Sequence, residues 1–262
     1  MYVNKFYLEE NFTAYKTILI KEVLRFTRIW LQTIIPPAIT MGLYFIIFGQ
    51  LIGSQLSDID GYSYMDYIVP GLIIMSIITN SYSNVVSSFY GTKFHHHIEE
   101  LLVSPIANIT IIAGYISGGV ARGLTVGVIV TLVSLFFTQI TIDSYLITFV
   151  VAILTAILFS LAGLINAIFA NSFDDITIVP TFVLTPLTYL GGVFYSIEML
   201  PEFWQNVSLV NPVLYMVNAF RMGMLGVSDA SLSVAILIII GFIILLTSIC
   251  LWLLHKGIGI KK

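Results

Sequence analysis

The sequence predicts an all-α membrane protein with six transmembrane helices, formed as a single domain over residues 1–262. Of its 262 residues, 58% are hydrophobic and only 10% are charged, whereas soluble domains are about 45–50% apolar and roughly 25% charged. The mean hydropathy is +0.99, and the apolar residues form blocks long enough to cross a bilayer. These observations exclude a soluble protein, a disordered chain and a disulfide scaffold. The single cysteine, Cys250, excludes disulfides within the chain and Cys-based zinc sites.

Residues 12–32 are predicted to form an amphipathic helix at the membrane interface. No secretory signal pattern is expected before it, because residues 1–11 are polar. Lys21, Arg25 and Arg28 lie on one face, where they would approach anionic headgroups. A helix packed on another protein surface is the alternative. The apolar face recurs at steps of three and four residues: Phe12, Tyr15, Leu19, Val23, Phe26 and Trp30.

Six apolar stretches follow, each close to the ~20 residues that a spanning helix needs. Pro36 and Pro37 fall at the start of the first span, where a missing N–H is best tolerated. The third helix is expected to begin before its apolar part, near Thr110. The predicted spans are 34–52, 67–86, 120–137, 145–169, 176–194 and 232–254.

The basic residues predict the orientation. With the N-terminus inside, ten of the 11 Lys and Arg residues lie in cytoplasmic segments, and the eleventh, Arg221, lies outside. The 14 acidic residues divide evenly, as expected when only Lys and Arg carry the signal. Both termini are therefore predicted to be cytoplasmic. Arg122 is interpreted as an anchor at the cytoplasmic edge, with a buried pairing to Asp174 or Asp175 as the alternative.

A cytoplasmic loop at residues 91–108 contains a short amphipathic helix that ends before a proline. Such a helix is predicted to dock into a groove on a partner, with its charges setting the register. The predicted docking residues are Ile98, Glu99, Glu100, Leu101, Leu102 and Pro105. The preceding run, His95 to His97, is interpreted as solvated or partner-contacting, because adjacent helical histidines point in different directions and no second ligand cluster exists.

Three further features have structural interpretations. Asp174 and Asp175 are predicted to cap the N-terminus of span five, since no nucleophile or metal ligand accompanies them. Residues 195–229, interrupted by proline, are predicted to form two re-entrant or interfacial half-helices on the outer face. Small residues at one helical face predict close packing between helices: Gly119, Gly123 and Gly127.

Several chemistries are missing from the sequence. It contains no GxxxxGK[ST] phosphate loop, no HExxH and no Gly-x-Ser-x-Gly motif. Charges are nearly absent from the centres of the spans, although ion-coupled carriers usually need them. We therefore expect no catalytic residue, bound cofactor or metal in this chain. Because the chain has a predicted docking helix but no motif for binding ATP or coupling to ions, we expect another subunit to supply the energy.

The stretch 182–221, FVLTPLTYLGGVFYSIEMLPEFWQNVSLVNPVLYMVNAFR, resembles the permeases of ABC-2 type transporters. The matching features are Pro186, Gly191–Gly192, Phe194, Leu200–Pro201, Asn211–Pro212 and Arg221. The segment IEELLVSP is similar to the family's cytoplasmic coupling helix, and MGLYFIIFG and VPGLIIMS match its first two spans. The resemblance covers nearly the whole chain and is strongest to bacterial inner-membrane permeases.

The resemblance implies a half-transporter that pairs with a second copy of itself. Each copy would dock on a separate cytoplasmic ATPase, which would hold the ATP and Mg²⁺. Membrane lipid would be a further partner, and no nucleic acid is expected to bind. One region would bear on the pathway or dimer interface: Pro186, Tyr189, Gly191, Gly192 and Phe194. Another would form the outer gate: Leu200, Pro201, Asn211 and Pro212.

The family exports glycans, lipids and hydrophobic drugs, so the expected substrate is hydrophobic, lipid-like or a glycan. Two other functions remain open. One is a stand-alone secondary carrier, which would work without an ATPase. The other is a membrane scaffold that transmits mechanical work from an ATPase without moving a solute. Tyrosines near spans two and five are interpreted as an interfacial aromatic belt, with a pathway lining as the alternative.

Overall fold

The computed structural model describes residues 2–59 and 61–259, and these residues are helical apart from short connections and one isolated bridge between Ile59 and Tyr62. Lys261 and Lys262, which contribute to the predicted orientation, lie outside the described residues. The helices are, in order, α1 (Tyr2–Arg28), α2 (Trp30–Thr33), α3 (Ile35–Tyr44), α4 (Tyr64–Phe94), α5 (His97–Val103), α6 (Asn108–Ser134), α7 (Tyr145–Phe169), α8 (Asp175–Val179), α9 (Thr185–Tyr189), α10 (Glu202–Leu209), α11 (Pro212–Leu225) and α12 (Leu232–Lys256).

Among the residues that the structure describes, five helical stretches are long and apolar enough to cross a membrane. They are Trp30–Gln55, Tyr64–Phe94, Asn108–Ser134, Tyr145–Phe169 and Leu232–Lys256. The first joins α2 and α3 to a π-helix at Phe45–Ile52 and a 3₁₀ turn at Gly53–Gln55. These five correspond to predicted spans one, two, three, four and six, and the early start of the third is borne out by α6.

The predicted fifth span is shorter than expected. Its helical run covers α8, a π-helix at Pro180–Leu184 and α9, which is about 22 Å at 1.5 Å per residue. The two prolines explain the irregular turn, because neither Pro180 nor Pro186 has an N–H to donate. Thr185 Oγ1 instead donates to the Pro180 carbonyl at 2.9 Å. Gly192, with φ of 73°, then turns the chain away where the apolar pattern had predicted helix to residue 194.

Helix α4 is the centre of the bundle. In its most apolar window 83% of residues are buried, against 17% in α12. It packs most extensively against α7 and α6, and also contacts α11. Pro70 lies inside α4 but near its start. The core is therefore built around one 31-residue helix that has protein on most of its sides.

Helix α1 begins ten residues earlier than predicted and runs lengthwise along α6. Asn11 accepts hydrogen bonds from the Ala107 amide and the Thr110 hydroxyl, while the side chain of Glu22, further along α1, lies against Gly118. The buried side of α1 contains Ile18, Glu22 and Phe26. Helix α1 therefore packs on its own chain, and its buried side includes a carboxylate that the amphipathic pattern did not predict.

Glycines allow the close approach of helices around α4. A methyl group on Gly163 of α7 would lie 2.6 Å from the backbone oxygen of Tyr82 in α4, which is closer than two such atoms can sit. We therefore expect Gly163→Ala to force the two helices apart and to cost about 1–3 kcal/mol of the free energy of unfolding. The apparent Tm in detergent should fall by about 5 °C.

Gly241→Ala in α12 is the matched control, because a methyl group there would meet nothing within 4 Å. Its Tm should stay at or slightly above that of the parent protein. Equal Tm values for the two variants would contradict the close packing of α4 on α7.

Candidate functional site: the coupling segment and the outer segment

The first candidate region is the coupling segment, which we define as residues 91–108. Helix α4 ends at Phe94, and His96 adopts a left-handed conformation with φ of 62° before α5 begins. The His96 ring lies 3.1 Å from Glu99 Oε1. The chain thus turns sharply between α4 and α5, without a long linker.

The predicted docking residues differ in their exposure. Ile98 is 1% exposed, and Leu101 and Leu102 are partly buried against the core. The exposed members are Glu99, Glu100 and Pro105. Ile98 and the two leucines therefore hold α5 on the bundle, and of the six predicted residues only the other three are exposed.

Val103 was not among the predicted docking residues, yet its side chain is 85% exposed at the end of α5. Sequence reasoning assigned the apolar stripe to a partner, whereas the structure places most of that stripe on the chain itself. The exposure of Val103 could have been predicted from its position, because it lies two residues before Pro105 and off the apolar stripe of α5.

The C-terminal end of α4, where the coupling segment begins, is hydrogen-bonded to α7. Lys93 donates hydrogen bonds of 2.7 Å to the carbonyls of Ile168 and Ala170, at the C-terminal end of α7. A cation stabilises these carbonyls, which have no partner within their own helix. The end of α4, and with it the start of α5, is thereby tied to the neighbouring span.

Asp174 lies at the N-cap position of α8, and Asp175 is the first residue of that helix. Asp174 makes no side-chain cap hydrogen bond. Asp175 instead accepts hydrogen bonds from the amides of Asn171 and Ser172. The Asn171 hydrogen bond is the largest reason why the pKa of Asp175 lies below its ordinary value. Arg122 donates to Asn80 Oδ1 at 3.3 Å, rather than to either aspartate.

The predicted packing glycines lie against neighbouring helices. A methyl group on Gly127 would lie 2.7 Å from Ile77 Cγ1, and one on Gly123 would lie 3.0 Å from Ser81 Cβ. Gly119 approaches Val85 and the Ser160 hydroxyl just as closely. The stripe on α6 therefore faces both α4 and α7.

The second candidate region is the outer segment, residues 190–229. Arg221 of α11 is fully buried, donates to the Gly192 carbonyl at 2.6 Å and lies 4.0 Å from the centre of the Tyr67 ring. Tyr64 donates to the Phe194 carbonyl at 3.0 Å. The turn after α9 is thereby held on the start of α4.

An aromatic cluster joins the first span to the turn after α9. The hydroxyls of Tyr44 and Tyr189 are 3.1 Å apart. The Phe194 ring lies 4.7 Å from that of Phe48 and stacks on Tyr189 at 5.7 Å. Tyr189 and Phe194, which were predicted to bear on the pathway or interface, therefore contact the first span. Pro186 lies nearby, at the start of α9.

The predicted outer-gate residues lie around the junction of α10 and α11. Asn211 caps α11 by accepting from the Val213 amide at 3.0 Å, and its amide donates to the Leu187 carbonyl at 2.6 Å. Pro212 occupies the first turn of α11. Leu200 and Pro201 lie just before α10 and are more exposed. Asn211 is therefore the member of this group that connects the outer segment to α9.

A buried polar cluster joins α1 to α4, and the sequence analysis missed it. Glu22 is completely buried and accepts a hydrogen bond from Ser88. Arg25 lies 3.5 Å from the Glu22 carboxylate and donates 2.8 Å hydrogen bonds to the backbone and side-chain oxygens of Asn84. The available signal was that Glu22 shares a helical face with Ile18 and Phe26.

Comparison with known proteins agrees with this architecture. Residues 13–225 match the family model described as "ABC-2 type transporter". The chain is 56% identical over 249 residues to the inner membrane transport permease YadH of Escherichia coli (strain K12), covering 95% of this chain and 97% of that protein. It is 23% identical over 185 residues to nodulation protein J of Neorhizobium galegae, covering 70% and 71%.

The bundle of apolar spanning helices defines a polytopic membrane protein. Together with the match over 95% of the chain, it identifies the class as a membrane transport permease. The chain belongs to the ABC-2 type transporter family, as the resemblance had predicted.

The buried carboxylate gives a prediction for the α1–α4 junction. Glu22→Ala would leave Arg25 and Ser88 without their acidic partner. Removing one member of a buried ion pair is strongly destabilising, so we expect a loss of roughly 3 kcal/mol in the free energy of unfolding. Thermal unfolding and limited proteolysis of α1 would measure it.

Glu99→Ala is the control, because Glu99 is an exposed glutamate paired with a histidine. It should change stability by under about 1 kcal/mol. A Glu22→Ala protein as stable as the Glu99→Ala protein would contradict the buried pair.

The cap of α11 gives a second prediction. Asn211→Ala removes both the N-cap and the hydrogen bond to Leu187. We expect it to cost about 1–2 kcal/mol and to speed hydrogen exchange at the start of α11. Asn206→Ala, at an exposed position in α10, should leave both properties at the parent values; a similar effect from both variants would show that Asn211 has no special role.

Proposed function

We propose that the chain is the membrane-spanning subunit of an ABC exporter, driven by ATP that a separate cytoplasmic ATPase binds with Mg²⁺. The observation that carries this proposal is α5. It is a seven-residue helix, held on the bundle by Ile98, with Glu99, Glu100 and Val103 directed away from it. An exposed apolar residue beside two carboxylates fits a docking contact with a second protein.

The connection of α5 to the rest of the protein supports energy transfer. A force on α5 reaches α4 through the tight turn at His96, and Lys93 ties this turn to α7. Because α4 is continuous to its outer end, it would carry the displacement toward Gly71, whose backbone lies against Val193 in the outer segment. ATP-driven closure of the partner would thus reach the outer gate through packed helices.

We further propose six crossings with both termini in the cytoplasm. The basic residues support this orientation, and α8 to α9 would supply the fifth crossing together with residues 190–194. A helical run of about 22 Å is short for a ~30 Å hydrocarbon layer. Local thinning of the bilayer or cover from a neighbouring subunit would accommodate it.

A second copy of the chain is the proposed neighbour. The first span and the α8–α9 run carry exposed apolar side chains on their outer surfaces, including Ile39, Leu43, Phe182 and Val183. Two such faces would pair and enclose a pathway near the Tyr44–Tyr189 contact. Since the described spans carry few charges, we propose a hydrophobic or amphiphilic substrate, lipid-like or glycan, as the exported species.

The docking proposal is tested with a double variant, Glu100→Lys and Val103→Asp, chosen because neither side chain supports the fold. Extraction of the tagged parent protein from native membranes should recover a P-loop ATPase at a one-to-one ratio. The double variant should retain about a tenth of it or less, which corresponds to ~1.4 kcal/mol of lost binding.

Val210→Asp is the control, since Val210 is 84% exposed but belongs to the proposed outer side. Its ATPase recovery should equal that of the parent. If the double variant also recovers the ATPase at the parent ratio, the docking surface is wrong. If the parent itself yields a homo-oligomer without ATPase, even after crosslinking with ATP present, the exporter proposal fails and the secondary carrier replaces it.

A further inference from the structure

The strongest unexplained feature of the molecule is a basic patch on α1, which we define as Lys21, Arg25 and Arg28. These residues recur at steps of four and three, so they share one side of the helix. They line a surface cavity of about 470 Å³ together with Leu24 and Ile29. The cavity thus combines three cations with two apolar side chains, a composition that neither the transport pathway nor the docking surface requires.

Arg25 is fixed in place by the buried cluster beneath it. Its guanidinium donates twice to Asn84 and lies beside the buried carboxylate of Glu22. Its side chain is 28% exposed, so it forms the floor of the cavity. A rotamer that is already fixed loses less entropy when a ligand binds, which makes this part of the site preorganised.

Lys21 and Arg28 form the two sides of the cavity. The Lys21 ammonium lies 3.9 Å from the Glu22 carboxylate and donates to Thr92 Oγ1 at 3.4 Å, yet both basic side chains still reach the surface. The Lys21 side chain is 51% exposed, and Arg28 is exposed. Glu22 offsets one of the three positive charges from below, so the patch retains a net positive charge. The chemistry that such a site recognises is a phosphate group.

The depth of the patch in the bundle selects the source of that phosphate. Asn84, which binds Arg25, lies 20 residues after Tyr64, or about 30 Å along α4. This length equals the ~30 Å hydrocarbon thickness of a bilayer. If α4 enters the membrane near Tyr64, Arg25 lies at the opposite boundary, at the level of lipid phosphates.

The apolar surroundings agree with a lipid rather than a free anion. Leu24 and Ile29 flank the cations at 50% and 42% exposure, and the exposed Trp30 and Leu31 follow them. From Arg25 onward α1 leads into the first span, so these side chains lie where acyl chains begin. We propose that Lys21, Arg25 and Arg28 form a binding site for the phosphate headgroup of an anionic phospholipid, with Leu24 and Ile29 contacting its acyl chain.

The test uses the full chain in nanodiscs and the fluorescence of Trp30, two residues beyond Arg28. Trp204→Phe and Trp252→Phe leave Trp30 as the only tryptophan. Phosphatidylglycerol with brominated acyl chains, diluted in unlabelled phosphatidylcholine, reports lipid near Trp30 by quenching. The reference sample carries the bromines on phosphatidylcholine instead, with the same fraction of brominated lipid in the bilayer. The expected result is stronger quenching by labelled phosphatidylglycerol than by labelled phosphatidylcholine.

Arg28→Gln should reduce this preference about fivefold, since one basic residue near a membrane surface contributes to that extent. Lys16→Gln is the matched control, because Lys16 is exposed on α1 but does not line the cavity. Equal quenching by the two lipids, or an equal loss in both variants, would overturn the proposal. Release of the quenching by inorganic phosphate in large excess would show a free-anion site and would also overturn the lipid assignment.

This test is independent of the exporter proposal, because it needs neither the ATPase nor transport. A protein that lacks the lipid preference but recovers the ATPase would overturn only the lipid site. A protein with the preference but without an ATPase partner would overturn only the exporter.

Discussion

The central constraint on this structure is that α4 has protein on most of its sides. Its neighbours must come close to its backbone, and glycines on α6 and α7 make this possible at Gly123, Gly127 and Gly163. In lipid there is little hydrophobic drive between helices, so packing and polar contacts hold them together. In the peripheral helix α12, by contrast, only 17% of the apolar window is buried, which suits contact with lipid acyl chains.

Both candidate regions depend on α4 because each is attached to one of its ends. The coupling segment leaves its C-terminal end, where Lys93 joins it to α7. The outer segment returns to its N-terminal third, where Tyr64, Tyr67 and Gly71 contact it. A continuous helix links the two regions, and in the proposed exporter a displacement at one end would reach the other through this packing.

The sequence predicted the elements whose signal is local. Hydropathy gave α7 at Tyr145–Phe169 and α12 within a few residues, because a spanning helix needs only length and apolar composition. Prediction from the sequence failed where packing between helices determines which side chains are exposed and where a helix ends. The exposure of Val103 and the burial of Ile98 depend on how α5 lies on the bundle, and the early end of α9 depends on the Gly192 turn that Arg221 holds.

The buried Glu22 is the clearest case of information that a single sequence hides. A glutamate in an amphipathic helix normally belongs to the polar face. Here the guanidinium of Arg25, together with the amide of Asn84 and the hydroxyl of Ser88 in α4, makes its burial tolerable. Buried ion pairs contribute little net stability but can fix one arrangement among several. Sliding α1 along α4 by one turn would remove Glu22 from these partners and move Arg25 away from Asn84. The pair therefore sets the position of α1 along the bundle, and through it the position of the proposed lipid site relative to α4.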